Sequence, residues 1–118
     1  MNKQEISERI QKFMIRIFRL AEHLQESDLS GIITSNVLES VILINRHYRA
    51  ACRISNAKEQ AEKLNLAAEA TDQTLFWLEF VEGCNLINPE KIKNLKTENA
   101  ELLSILSNNS KTAKRKAT

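Results

Sequence analysis

Apolar residues recur at spacings of three and four along four separate segments of this chain. That spacing places side chains on one face of an α-helix, because 3.6 residues complete a helical turn. Only short stretches with turn signals separate the segments, and helices joined by short links pack antiparallel. The sequence therefore predicts an all-α protein, an antiparallel up-down-up-down four-helix bundle over residues 1–110.

Capping residues set the bounds of the predicted helices. Helix one is expected over about residues 5–26, and helix two up to about residue 54. Asn56 followed by Glu59 resembles a capping box, and Asn88 before Pro89 places an N-cap ahead of a proline at the first helical position. Helices three and four are therefore expected to begin at residues 57 and 89 and to end near residues 83 and 110. The candidate N-caps of helix two are Ser27, Asp28 and Ser30.

Composition and targeting signals narrow the class further. Two glycines, one proline and six aromatic residues leave few turn and strand signals. No apolar run approaches the roughly 20 residues that span a bilayer, and the first residues lack the apolar core of a secretory signal. A cytoplasmic protein with no membrane partner is expected, in which Cys52 and Cys84 are free thiols.

The residues that usually carry catalysis or metal binding do not occur in the required patterns. A di-iron bundle needs Glu-x-x-His, but Leu20 and Ile44 stand three residues before His23 and His47. His47 and Cys52 would lie on different helix faces, and no glycine-rich phosphate loop is present. The sequence predicts no enzymatic activity, no metal site and no cofactor.

Helix two is apolar nearly all round in its middle, which predicts self-association. A helix in a lone four-helix bundle keeps a polar face towards solvent. The additional apolar surface of helix two is therefore expected to be buried by another subunit. Aromatic residues of the stretch TLFWLEF flank the stripe of helix three in the same way. The residues expected in the oligomer interface are Leu38, Val41, Ile42, Leu43, Phe76 and Trp77.

Charge is segregated along the chain. Residues 1–56 carry a net charge of +2, residues 57–110 a net charge of −4, and residues 111–118 four bases and no acid. The last segment, KTAKRKAT, has no apolar periodicity and is predicted to be a mobile basic tail. It is either a solvated end or an arm that contacts phosphates.

Three arginines of helix two recur at i, i+3 and i+7, which is one helix face. Two interpretations remain open. The arginines form ion pairs with the acidic helix three, within or between subunits, or their summed field attracts a polyanion such as RNA or DNA. Tyr48 is expected in the core rather than stacked on a base. The residues predicted to bind nucleic acid are Arg46, Arg49, Arg53, Lys111, Lys114, Arg115 and Lys116.

Three stretches resemble a known family of four-helix bundle proteins, also named for reading frames in intervening sequences of bacterial 23S ribosomal RNA genes. They are ISERIQKFMIRIFRLAEHL in helix one, TLFWLEFVEGCNLI at the end of helix three, and NAELLSIL followed by SKTAKRK. The resemblance covers nearly the whole chain. Helix two departs from it, because SVILINRHYRAA has larger side chains where the family has a run of small residues.

The resemblance implies an antiparallel four-helix bundle that assembles into a homopentamer and has no known enzymatic activity. Relatives include the accessory variability determinant of diversity-generating retroelements, a similar pentamer that binds nucleic acid and reverse transcriptase through a basic surface. Arg49, Lys111 and Lys114 match recurring basic positions of the family. The expected partners are therefore other copies of the chain and RNA or DNA; the alternative is a protein-interaction scaffold that binds an unidentified protein.

Overall fold

The computed structural model describes residues 1–24 and 30–118. Nearly all of these residues lie in four helices, and the bundle measures 49 × 22 × 21 Å. The all-α four-helix class is confirmed. The predicted end of helix one at residue 26 and the candidate caps Ser27 and Asp28 fall outside the described residues. The helices are α1 (Lys3–Leu24), α2 (Ser30–Arg53), α3 (Ala57–Gly83) and α4 (Pro89–Ala117).

Contacts between helices give the up-down-up-down order. Early α3 contacts late α4, since Ser110 donates a hydrogen bond to the carbonyl of Ala61. Late α3 contacts early α4, since Lys96 pairs with Glu82. The same reversal relates α2 to α3 and α1 to α4. Within the described residues each helix contacts its two neighbours and not the helix diagonally opposite.

The predicted apolar stripes face the interior. Replacing one of these fully buried side chains, such as Leu106, by alanine would cost about 2–5 kcal/mol. Met14, Leu75 and Leu103 from the predicted stripes are only partly buried, at the edges of the helix interfaces. The largest fully buried side chains are Phe13, Ile10, Ile17, Leu24, Ile44, Leu78, Ile92, Leu102, Leu106, Val37, Val41 and Val81.

Helix starts at α3 and α4 match the capping predictions. The Asn56 side chain accepts a hydrogen bond from the backbone N–H of Glu59 at 3.0 Å. The Asn88 side chain accepts one from the backbone N–H of Glu90 at 2.8 Å, with Pro89 at the first helical position. These oxygens satisfy backbone donors that have no partner within their helix.

Helix four is longer than predicted. It continues to Ala117, so the predicted end near residue 110 is wrong, while the mobility of residues 111–118 stays a prediction. Ser110 and Ala113 are buried and continue the stripe of Leu106 at spacings of four and three. Small and polar residues carry this last part of the stripe, which is why apolar periodicity did not reveal it.

Ion pairs of Arg9 join α1 to α4, and the sequence pattern did not reveal them. Glu5 stands four residues before Arg9, a spacing that allows an ion pair within one helix, but the Arg9 guanidinium contacts Glu98 at 2.6 Å and Glu101 at 2.7 Å. A second Arg9 nitrogen donates to the other Glu98 oxygen at 3.1 Å, which makes that pair bidentate. The hydrogen bond to Glu98 raises the pKa of the Arg9 guanidinium, so Arg9 stays charged at every relevant pH.

Candidate functional site

The three arginines of α2 lie around one open groove between α1 and α2. We call it the arginine groove; its volume is about 540 Å³. Arg46, Arg49 and Arg53 are all exposed, as expected for residues that share one helix face. Its lining residues are Met14 and Phe18 of α1 and Ile42, Asn45, Arg46, Arg49, Ala50 and Arg53 of α2.

None of the groove arginines forms an ion pair within residues 1–24 and 30–118, where the paired cations are Arg9 and Lys96. The predicted pairing with helix-three carboxylates is therefore wrong within one protomer. The groove opens towards α1, whereas the acidic residues Glu69 and Asp72 line a different groove between α3 and α4. Pairing between subunits stays a prediction.

The groove has an apolar floor that sequence reasoning did not identify. Phe18 is 42% exposed and lies with Met14 and Ile42 among the arginines. The sequence feature that could have identified Phe18 is its position outside the apolar stripe of helix one, which places an aromatic ring at the helix surface. An exposed aromatic ring beside guanidinium groups offers a stacking surface as well as charge.

Tyr48 is a core residue, as predicted, with 2% of its surface exposed. Burial, and then the neighbouring Cys52 thiol, raise the pKa of the Tyr48 phenol. The phenol is therefore neutral and turned inwards, so stacking at the groove falls to Phe18. Cys52 and Cys84 are both free.

His47 lies on another side of α2, facing α3. Burial lowers the pKa of His47, and the nearby cations Lys63 and Arg46 lower it further, while Glu69 opposes them. The imidazole is therefore neutral near pH 7 and adds no charge to the basic surface.

The basic end of α4 and the arginine groove share one end of the bundle but not one surface. Lys116 lines a small pocket with Lys3 of α1, Cys52 of α2 and Gln60 of α3. Because α4 is diagonally opposite α2, the groove contains no residue of α4. The structure thus separates Arg46, Arg49 and Arg53 from Lys111, Lys114, Arg115 and Lys116.

Aromatic side chains form a cluster at the surface of α3, made of the exposed Phe76 and Phe80 and the partly buried Trp77. Phe76 is 56% exposed and Phe80 is 47% exposed. The ring centroids of Phe76 and Trp77 are 5.0 Å apart, and those of Trp77 and Phe80 are 5.9 Å apart. The contacts are edge-on or tilted, which aromatic pairs favour. Phe80 extends the surface beyond the two residues that the sequence singled out.

The predicted interface residues of α2 divide into two groups. Leu38, Ile42 and Leu43 are partly exposed along a shallow groove that also contains Glu39 and Arg46. Val41 has no exposed surface, because it points into the protomer's own core. Its assignment to an oligomer interface is therefore wrong.

Two general features of the described residues bear on function. No three His, Cys, Asp or Glu side chains lie close enough together there to hold a metal ion. None of the described helices is long and apolar enough to cross a membrane.

A solved structure from Bacteroides thetaiotaomicron resembles this chain closely in three dimensions, with a TM-score of 0.80. The two chains share a fold. The match covers 86% of this chain and 94% of the other, at 22% sequence identity. The neighbour is described as a protein of unknown function from the S23 ribosomal protein family, in agreement with the family that the sequence motifs resemble. No family model and no curated protein matches the sequence.

Proposed function

We propose that this chain is a non-enzymatic, self-assembling helical bundle that binds nucleic acid through the arginine groove. The observation that carries the proposal is that Arg46, Arg49 and Arg53 share this groove without an ion pair to any described carboxylate. Uncompensated cations on one face attract the phosphate backbone of RNA or DNA, and each contact releases counterions.

The residues of the groove also offer the two kinds of contact that a single-stranded or unpaired segment uses. Phe18 supplies an exposed ring on which a base can stack, and the flanking arginines supply phosphate contacts. Stacking on a ring and contacts to phosphate carry little sequence information. Binding through them is therefore expected to depend strongly on salt and weakly on sequence.

Self-assembly is part of the same proposal. The aromatic cluster on α3 and the partly exposed Leu38 and Leu43 on α2 are two different apolar surfaces of one protomer, and neither surface lines the arginine groove. Contact between unlike surfaces repeats from subunit to subunit and closes into a ring where the rotation permits. The family resemblance favours five subunits. In such a ring each protomer contributes one arginine groove, which raises the affinity for a long polyanion through multivalency.

The second candidate is a protein-interaction scaffold in the cytoplasm, and the aromatic cluster favours it. Exposed aromatic side chains are typical of the centres of protein interfaces. In that case the arginines would pair with carboxylates of a neighbouring subunit or a protein partner, and nucleic acid would not bind.

The test is a fluorescence-anisotropy titration of labelled single-stranded RNA, structured RNA and duplex DNA at several salt concentrations. The variant reverses the charge of the groove with Arg46→Glu, Arg49→Glu and Arg53→Glu. The matched control makes the same change of charge elsewhere with Lys58→Glu, Lys63→Glu and Lys93→Glu. For duplex DNA, log K should fall against log salt by about 0.9 per neutralised phosphate.

We expect the groove variant to lose binding while the control keeps most of it. Light scattering on both variants reports whether assembly survives. A groove variant that folds but no longer assembles would assign the arginines to a subunit interface and support the scaffold. Equal loss of binding in both variants, or no binding by the wild type at low salt, would overturn the nucleic-acid proposal.

A further inference from the structure

A second cationic groove lies between α1 and α4, at the opposite end of the bundle from Lys116. We call it the α1–α4 groove; its volume is about 300 Å³. Arg16 and Arg19 border it from α1, and Lys91 borders it from the first turn of α4. Leu20 and Leu95 form its floor, and Asn94 adds an amide. Among the described residues, no carboxylate lines it.

The same pair of helices also contains a cation whose charge is neutralised by ion pairs. Further along the α1–α4 interface, Arg9 has two carboxylate partners from α4. Arg16, Arg19 and Lys91 have no ion-pair partner among the described residues. Three like charges around one groove repel each other, so an anion bound there would relieve the repulsion.

The start of α4 adds to the positive potential of this groove. Backbone N–H groups of a first turn carry the positive end of the helix dipole. The Asn88 side chain occupies the N–H of Glu90, so the cap itself is satisfied and the groove cations remain the main anion contacts. Guanidinium and ammonium groups both bind phosphate oxygens, and arginine does so in a bidentate manner.

We infer that the α1–α4 groove is a binding site for a phosphate group, separate from the arginine groove. The phosphate belongs either to a nucleic-acid backbone or to a small phosphorylated ligand. In the first case, which rests on the proposed function, α1 lies between two contact sites and a bound strand crosses it. In the second case the site works without nucleic acid.

The test uses the full-length ¹⁵N-labelled protein titrated with inorganic tripolyphosphate and, separately, with a short single-stranded RNA. The groove variant is Arg16→Gln, Arg19→Gln and Lys91→Gln; the matched control, which removes the same charge, is Lys58→Gln, Lys63→Gln and Lys93→Gln. We expect tripolyphosphate to shift the amide signals of Arg16, Arg19, Lys91 and Asn94. Its affinity should fall at least about tenfold in the groove variant and much less in the control.

The two ligands distinguish the two sources of phosphate. If both shift the groove signals, the site holds backbone phosphate; if only tripolyphosphate does, it holds a small ligand. Tripolyphosphate shifts spread evenly over all basic residues, or an equal loss of affinity in groove variant and control, would overturn the site. A wild-type protein that binds tripolyphosphate in this groove but binds no RNA would count against the proposed function and not against this groove.

Discussion

Arg9 and Arg49 should respond differently to the same substitution, because only Arg9 forms ion pairs among the described residues of the protomer. Arg9→Gln removes a bidentate pair with Glu98, whose side chain is 19% exposed, and one bond to Glu101, which is 58% exposed. A partly buried charged pair contributes about 1–2 kcal/mol after allowance for solvent, and an exposed one about 0–0.5 kcal/mol. We expect Arg9→Gln to lower the free energy of unfolding by about 1–2.5 kcal/mol.

Arg49→Gln is the internal control. Its guanidinium is exposed and makes no ion pair with a described residue, so the expected change is within about 0.5 kcal/mol. Urea unfolding at one fixed protein concentration measures both, and adding Glu98→Gln completes a double-mutant cycle for the pair. A loss from Arg49→Gln as large as that from Arg9→Gln would refute the reasoning, because it would mean that the groove arginine is already paired.

Three further outcomes follow from single features of the structure. The pKa of His47 is lowered in the folded protein, so the stabilisation from its neutral imidazole should be complete above about pH 6.5 and decline as pH falls below it. His47→Gln should reduce the difference between the free energies of unfolding measured with urea at pH 7.5 and 5.5. An unchanged difference would contradict the lowered pKa of His47. Ala113→Asp should lower the free energy of unfolding by about 1–3 kcal/mol because the site is buried in α4. Lys114→Asp beside it should lower it by less, because the exposed carboxylate opposes only the helix dipole. Equal effects in thermal unfolding would indicate an unstructured end. Phe76→Ser combined with Phe80→Ser should reduce the mass measured by light scattering with little change in helical circular dichroism; an unchanged mass would remove the aromatic cluster from the subunit contact.

The helices and most of their core residues could be predicted because the relevant signals are local. Side chains three and four residues apart share a face whatever surrounds the helix, and Asn56 and Asn88 cap helices through bonds within three residues. The end of α4 was missed where the stripe passes to Ser110 and Ala113. These residues are buried by the neighbouring helices, as in the bond from Ser110 to Ala61, and not by their own hydrophobicity.

The candidate sites could be predicted only in part, because they depend on how helices are placed around each other. The stripe of Arg46, Arg49 and Arg53 was visible, but not that it faces α1 and Phe18 instead of the acidic helix three. Charge composition indicates that partners exist and does not indicate which faces meet. Arg9 illustrates the same point, since its partners lie 89 and 92 positions away.

The most direct test of the central claim is to map where RNA contacts the protein. Ultraviolet cross-linking of the assembled wild-type protein to a single-stranded RNA, followed by mass spectrometry of the cross-linked peptides, identifies the contacting residues. The account predicts cross-links at Phe18 and within residues 45–53, and their loss in the Arg46→Glu, Arg49→Glu, Arg53→Glu variant. Cross-links confined to the outer face of α3, or unchanged in that variant, would contradict it.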